Sequence, residues 1–195
     1  YWRQQCYPLD GPVLQAALEV WPHVDALVDD MRQLCREPVD PALGFEEMGS
    51  LNERVQNDRE ATLVALADGW AARAQRLEDW LDGQIANNKA AWNGHKLKAV
   101  NYKGWLQTLR SWAAQPHDGL AQDLKTGAAR LIPSGLNDAR KGDVAVTLPP
   151  ESQALQELLS ALAQLPSLHV AIRLHAAAQV QQRMQFLKRQ AGTFG

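Results

Sequence analysis

Lys89, Lys96, Lys98, Lys103 and Arg110 stand among Asn87, Asn88, Asn93, His95, Asn101 and Tyr102 in a stretch, Ile85 to His117, that contains no aspartate or glutamate. Cations mixed with neutral hydrogen-bonding groups are the side chains that hold phosphates and sugars without reading bases. A carboxylate among them would repel a polyanion, so the pattern predicts a surface for the backbone of nucleic acid. Arg140 and Lys141 add a second, weaker basic patch on a later loop. The same composition also fits a solvated basic face paired with the acidic first half of the chain, and composition alone leaves both readings open.

Other chemistry finds fewer parts. The sequence has no GxxxxGK[ST] phosphate loop and no GxGxxG, GxSxG or HExxH motif, so a self-contained ATPase or simple hydrolase lacks its usual residues. The five histidines are scattered, and His169 and His175 would fall on different faces of a helix. Glu46, Glu47, Glu53, Asp58 and Glu60 are as dense as the carboxylates of a di-iron bundle, but the Glu-x-x-His pairs of such a site are missing. A charged helix surface explains them better. Cys6 and Cys35 lack CxxC spacing and are expected to be small buried side chains rather than metal ligands or a disulfide. Trp70, Trp80, Trp105 and Trp112 fall in apolar helical stripes and are expected in the core. Trp92, set among Asn, Lys, Gly and His, either exposes its indole to a sugar or partner or staples a loop.

The elements that must position these residues read as helices. Pro12 and Pro22 each suit a helix start, and Pro22 to Arg36 places Val24, Leu27, Val28, Met31 and Leu34 on one side. "REPVDPALG" breaks the pattern. From about Glu46 to Ile85, Leu63, Leu66, Ala67, Trp70, Ala74, Leu77, Leu81 and Ile85 recur at three or four residues, which predicts one long amphipathic helix with Arg73, Arg76, Glu78 and Asp79 solvated on its other face. Gly94 interrupts, and Trp105, Leu106, Leu109 and Trp112 resume the helical spacing. Pro116 to Pro150 reads mainly as loop, "IPSGLNDARKGD" included, with a short helix at Leu120 to Lys125 and "DVAVTLPP" extended. A helix should begin near Pro150 with Glu151 at its positive end and stop before Pro166; Ser167 should cap a last helix reaching about Gln190 and ended by Gly192. The fold class is all-α, an irregular bundle of about five to seven helices.

Charge is distributed unevenly. Residues 1–82 hold 16 acidic and 7 basic side chains, against 6 and 13 in residues 83–195, and no carboxylate side chain follows Glu157. Such asymmetry points to a polyanionic partner. No apolar run approaches the roughly 20 residues of a membrane span, and the chain is read as cytoplasmic. It opens on Tyr1 as if within an element, which suggests a piece excised from something larger.

Three segments carry a family resemblance. "YWRQQCYPL" (Tyr1 to Leu9), "LKAVNYKGWLQTLRSWA" (Leu97 to Ala113, notably Asn101, Trp105 and Trp112) and "HVAIRLHAAAQVQQRMQFLKRQAGTFG" (His169 to Gly195) resemble the beta subunits of exodeoxyribonuclease V, the RecB family of superfamily 1 helicase-nucleases. The resemblance covers both ends and the middle of the chain. In that family a basic cluster and a glycine, here Gly192, precede an aromatic-Asp-Asp motif, and this chain stops before it. The resemblance implies that residues 1–195 are a single helical subdomain inserted in the first motor domain, with 1–9 and 183–195 leading into that domain. It implies an arm gripping double-stranded DNA ahead of the unwinding junction, without sequence specificity and without catalysis of its own. The parent would use ATP and magnesium, cut DNA, and join alpha and gamma subunits in bacterial double-strand break repair. On this basis Lys96, Lys98 and Lys103 are the leading DNA contacts, supported by Lys89, Asn101, Tyr102 and Arg110, with Arg140 and Lys141 behind them. The competing reading is a helical scaffold that contacts partner subunits or motor domains through its tryptophan-bearing helices.

Overall fold

Apolar residues at three- and four-residue spacing give helices almost throughout the computed structural model, which describes residues 11–141 and 146–192. Among those residues seven helices have ten or more residues: α1 (Gly11–Val20), α2 (Val24–Leu34), α3 (Met48–Ala67), α4 (Trp70–Asn87), α5 (Ala99–Ala114), α9 (Pro150–Leu162) and α10 (Leu168–Gln190). Three short ones, α6 (Leu120–Leu124), α7 (Thr126–Arg130) and α8 (Pro133–Asp138), lie between α5 and α9. The all-α class therefore holds. No described helix is long and apolar enough to cross a membrane. Tyr1 to Leu9, Cys6, residues 143–145 of the "DVAVTLPP" stretch and the last three residues of the chain lie outside the described residues.

The long helix expected from Glu46 to Ile85 is two helices. Gly69 sits between α3 and α4 at φ 72°, a left-handed conformation that glycine adopts without the strain a Cβ would bring. "IPSGLNDARKGD" is likewise not all loop. Pro133 occupies the first turn of α8, where its fixed φ and missing N–H fit a helix start.

The chain divides into two compact units, residues 1–59 with 166–195 and residues 60–165. In the first, Trp21, Leu27, Met31, Met48, Leu51, Ile172, Ala176 and Ala177 form the core. The small residues of α10 let neighbouring elements approach closely. A strap, Glu37 to Glu46, runs along α10 and is held by side chains of that helix: Gln181 Nε2 donates to Glu37 O at 2.6 Å, Gln182 Nε2 to Pro41 O at 2.6 Å and Gln179 Nε2 to Gly44 O at 3.0 Å. A Cβ on Gly44 would come 2.9 Å from Gln182 Nε2 and 3.1 Å from Gln179 N, so the glycine admits this approach. Asp30 accepts from Trp21 Nε1 at 2.9 Å and from Arg173 Nε at 2.8 Å, and the Arg173 hydrogen bond holds its carboxyl below the usual carboxylate range. Cys35 is half-buried, and burial pushes its thiol up.

His175 is fully buried beneath the strap, with Nε2 2.9 Å from Glu46 O. A carbonyl only accepts, so Nε2 carries the proton. Burial lowers the imidazole's pKa, with the Glu46 carbonyl and carboxylate opposing it more weakly. The unfolded chain takes up a proton near pH 6.5 while the folded site resists it, so this group's contribution to stability is present at neutral pH and lost as pH falls. The urea midpoint should decline between about pH 6.5 and pH 5, and His175→Gln, which keeps a donor for the Glu46 carbonyl, should flatten that decline. A midpoint independent of pH in the wild-type chain would contradict the assignment.

In the second unit Trp70, Leu77, Leu81, Tyr102, Leu106, Leu109, Trp112, Leu120, Leu124, Leu136 and Leu155 form a larger core. Helices α4 and α5 run antiparallel, since Asp82 meets Tyr102 and Lys103 while Glu78 and Gln75 meet Arg110. The α7–α8 corner is tight enough that a Cβ on Gly135 would stand 1.9 Å from Ala129 O. Arg76 on α4 reaches Glu151 in the first turn of α9 at 2.6 Å.

Candidate nucleic-acid interface

The two basic stretches meet in the second unit. Asn93 N donates to Ala139 O at 2.8 Å, Lys141 N donates to Ala91 O at 2.7 Å, and Trp92 and Arg140 form an antiparallel bridge. Residues 91–93 are thereby laced to 139–141, which puts Lys89, Lys96 and Lys98 in one region with Arg140 and Lys141. Trp92 is the staple of this junction. It is 3% exposed, and its ring meets that of Trp80 edge to face at 5.8 Å. Of the two readings of Trp92 left open by the sequence, the loop staple is the one that holds.

Sequence alone suggested cations free of carboxylates, and for three of them the structure overturns that. Lys103 Nζ lies 2.9 Å from Asp82 Oδ2 and 4.0 Å from Glu78 Oε1, and Arg110 Nη1 lies 2.7 Å from Glu78 Oε2. Glu78 is correspondingly not solvated, its side chain being 14% exposed. Lys96 Nζ donates to Asp138 O at 3.0 Å and lies 2.8 Å from Asp138 Oδ2, an oxygen it shares with Arg130 Nη1 at 2.8 Å. The acid-free run is acid-free along the chain but not in space, because α4 and the end of α8 supply the missing charge.

Tyr102 is buried, and its hydroxyl donates to Asp82 Oδ1 at 2.5 Å. Burial, then the Asp82 hydrogen bond, raises the phenol's pKa, and the Tyr102 and Lys103 hydrogen bonds hold the Asp82 carboxyl low. This is a locked contact between α4 and α5, so Tyr102 does not offer its hydroxyl to a ligand.

Three of the expected lysines remain available. Lys89, Lys98 and Lys141 are exposed and have no ion pair among the described residues. Lys98 stands at the start of α5, whose first turn contains no acid, and the exposed Asn101 follows at the i+3 position on the same side. The unpaired N–H groups of that turn and the helix dipole favour an anion there. Arg140 is half-buried, with Nη1 3.3 Å from Asn137 Oδ1. Arg130, which sequence reading passed over, joins the group through Asp138. Its nearest clue was position alone, since nothing local marks it. No family model matches the chain, and a search of curated proteins found no match.

Proposed function

We propose that the chain is the DNA-gripping helical arm of a cytoplasmic bacterial RecB-type helicase-nuclease, and that its second unit holds the phosphates of double-stranded DNA through Lys89, Lys98 and Lys141. The observation that carries this reading is the lacing of residues 91–93 to 139–141, which gathers two basic stretches while leaving three ammonium groups without carboxylate partners among the described residues. Lysines on flexible stems, with an asparagine beside them, suit backbone contact that tolerates any base sequence, as an arm following a moving fork requires. Burial of Trp92 and Tyr102 favours duplex over single strand, since single-strand binders expose aromatic platforms on which bases stack. The arm contributes no catalytic step. ATP hydrolysis, magnesium, the nuclease and the alpha and gamma subunits belong to the larger enzyme to which this proposal assigns it.

Asp138 supplies the test. Its carboxyl, held low chiefly by the Lys96 hydrogen bond, occupies two cations at the edge of the patch. Asp138→Asn should leave both cations without their carboxylate and tighten duplex binding about threefold to tenfold at low salt, equally for two unrelated sequences. Fluorescence anisotropy of labelled duplexes reads this directly. Unchanged or weaker binding by a folded variant would count against a phosphate-binding surface here.

A further inference from the structure

Among the described residues only one that is not glycine has a positive φ: Lys125, at φ 50° and ψ −123° in the turn between α6 and α7. Glycine enters that region freely, whereas a Cβ there is strained. Backbone contacts around the residue fix the turn. Lys125 N donates to Gln122 O at 3.1 Å, and Gly127 sits so close to α5 that a Cβ on it would stand 2.4 Å from Trp105 Cγ. Neither contact uses the lysine side chain. It is exposed, and among the described residues it has no hydrogen bond or ion pair. The nearest carboxylate along the chain, that of Asp123, lies 3.2 Å from His117 Nε2 instead. The turn would therefore be more stable with glycine, and no described contact calls for a lysine.

Strained backbone positions that persist in a folded chain gather at binding sites. This one also borders the basic region of the second unit. Thr126, next to Lys125, lines a cleft of about 360 Å³ together with Arg130, Ser134 and Asp138, and Asp138 is the carboxylate that Lys96 and Arg130 share. Two cations thus offset its charge, while the hydroxyls of Thr126 and Ser134 add neutral hydrogen-bonding groups of the kind that meet phosphates and sugars. We propose that Lys125 is a further phosphate contact of the duplex-binding surface, held out by the strained turn beside this cleft. A turn closed onto α6 and anchored on Trp105 presents the ammonium group from a rigid base, so less freedom is lost when it meets a phosphate. This contact depends on the duplex-binding role of the second unit and extends it beyond the two laced stretches.

Lys125→Gly in the intact chain separates a ligand contact from a structural role. Removing the Cβ relieves the strain, so the urea midpoint should rise, while affinity for a labelled duplex should fall about threefold at low salt, equally for two unrelated sequences and by a smaller factor as salt is raised. Lys125→Arg, which keeps the charge, should retain affinity within about twofold. A residue that only shaped the turn would move the midpoint and leave affinity alone. Should the glycine variant misfold, Lys125→Gln removes the charge and keeps the Cβ; it should lower affinity by the same factor at an unchanged midpoint. Wild-type affinity in a folded glycine or glutamine variant, with duplex still bound by the wild-type chain, would overturn the contact and leave the duplex-binding role standing. A wild-type chain that binds no duplex at low salt would overturn both.

Discussion

Changing Lys89, Lys98 and Lys141 to glutamate together should lower affinity for duplex DNA by at least about tenfold, by a similar factor for any sequence. These three are exposed and have no ion pair among the described residues, so none of the described contacts is lost when they are replaced. The urea midpoint should therefore stay close to that of the wild type, within about 0.5 kcal/mol of stability. The contrasting change is Arg110→Glu. It sets a second carboxylate against Glu78, whose side chain is 14% exposed, and should cost about 1–3 kcal/mol while affecting binding mainly through the fold. The pair of results separates cations that face a ligand from cations that join α4 to α5. A triple variant that binds duplex as well as the wild type would show that these lysines are only solvated.

The second large effect is on folding, at Gly135. A Cβ there would lie 1.9 Å from Ala129 O, 2.7 Å from Arg130 Cα and 2.9 Å from Ala129 C, all backbone atoms that no rotamer change can move aside. Gly135→Ala must push α8 away from α7 and should cost about 3 kcal/mol or more, at the upper end of overpacking effects. Because α8 ends in Asp138 and leads into the laced segment 139–141, duplex affinity should fall with stability. Gly83→Ala is the control. It lies within α4 with open space around its Cβ position, so the alanine should stabilise by about 0.5–1 kcal/mol through helix propensity. Equal, small effects at both glycines would mean that the α7–α8 corner is not packed as described.

Much of the fold was legible because its helices announce themselves locally. The apolar spacing of α5, the proline start of α9 and the Gly192 stop after α10 all lie within the segments they define. The break at Gly69 was not, since a single glycine inside a helical pattern is tolerated about as readily as it ends a helix, and only its positive φ distinguishes the cases. Helix α8 hid in a run of Pro, Ser, Gly and Asn that also suits a loop, and it is tertiary packing at Gly135 that fixes it. The division into two units follows from which apolar faces meet, a property that periodicity along one helix does not contain. The candidate site was half legible for the same reason. Residue types located the basic region, but the partners that neutralise Lys96, Lys103 and Arg110 come from Asp138, Asp82 and Glu78, distant in sequence and brought close only by the fold. Conversely, the joining of residues 91–93 to 139–141 depends on two backbone hydrogen bonds that no local pattern foretells.

The most direct measurement is the salt dependence of duplex binding by the intact chain, followed by anisotropy from about 50 to 200 mM monovalent salt. Three lysines on phosphates, each releasing close to one counterion, give an expected slope of log affinity against log salt of roughly −2 to −3, shared by unrelated duplexes and nearly abolished in the triple glutamate variant. A flat dependence, no binding at the lowest salt, or tighter binding to single strands than to duplex would contradict a phosphate-gripping role for this surface.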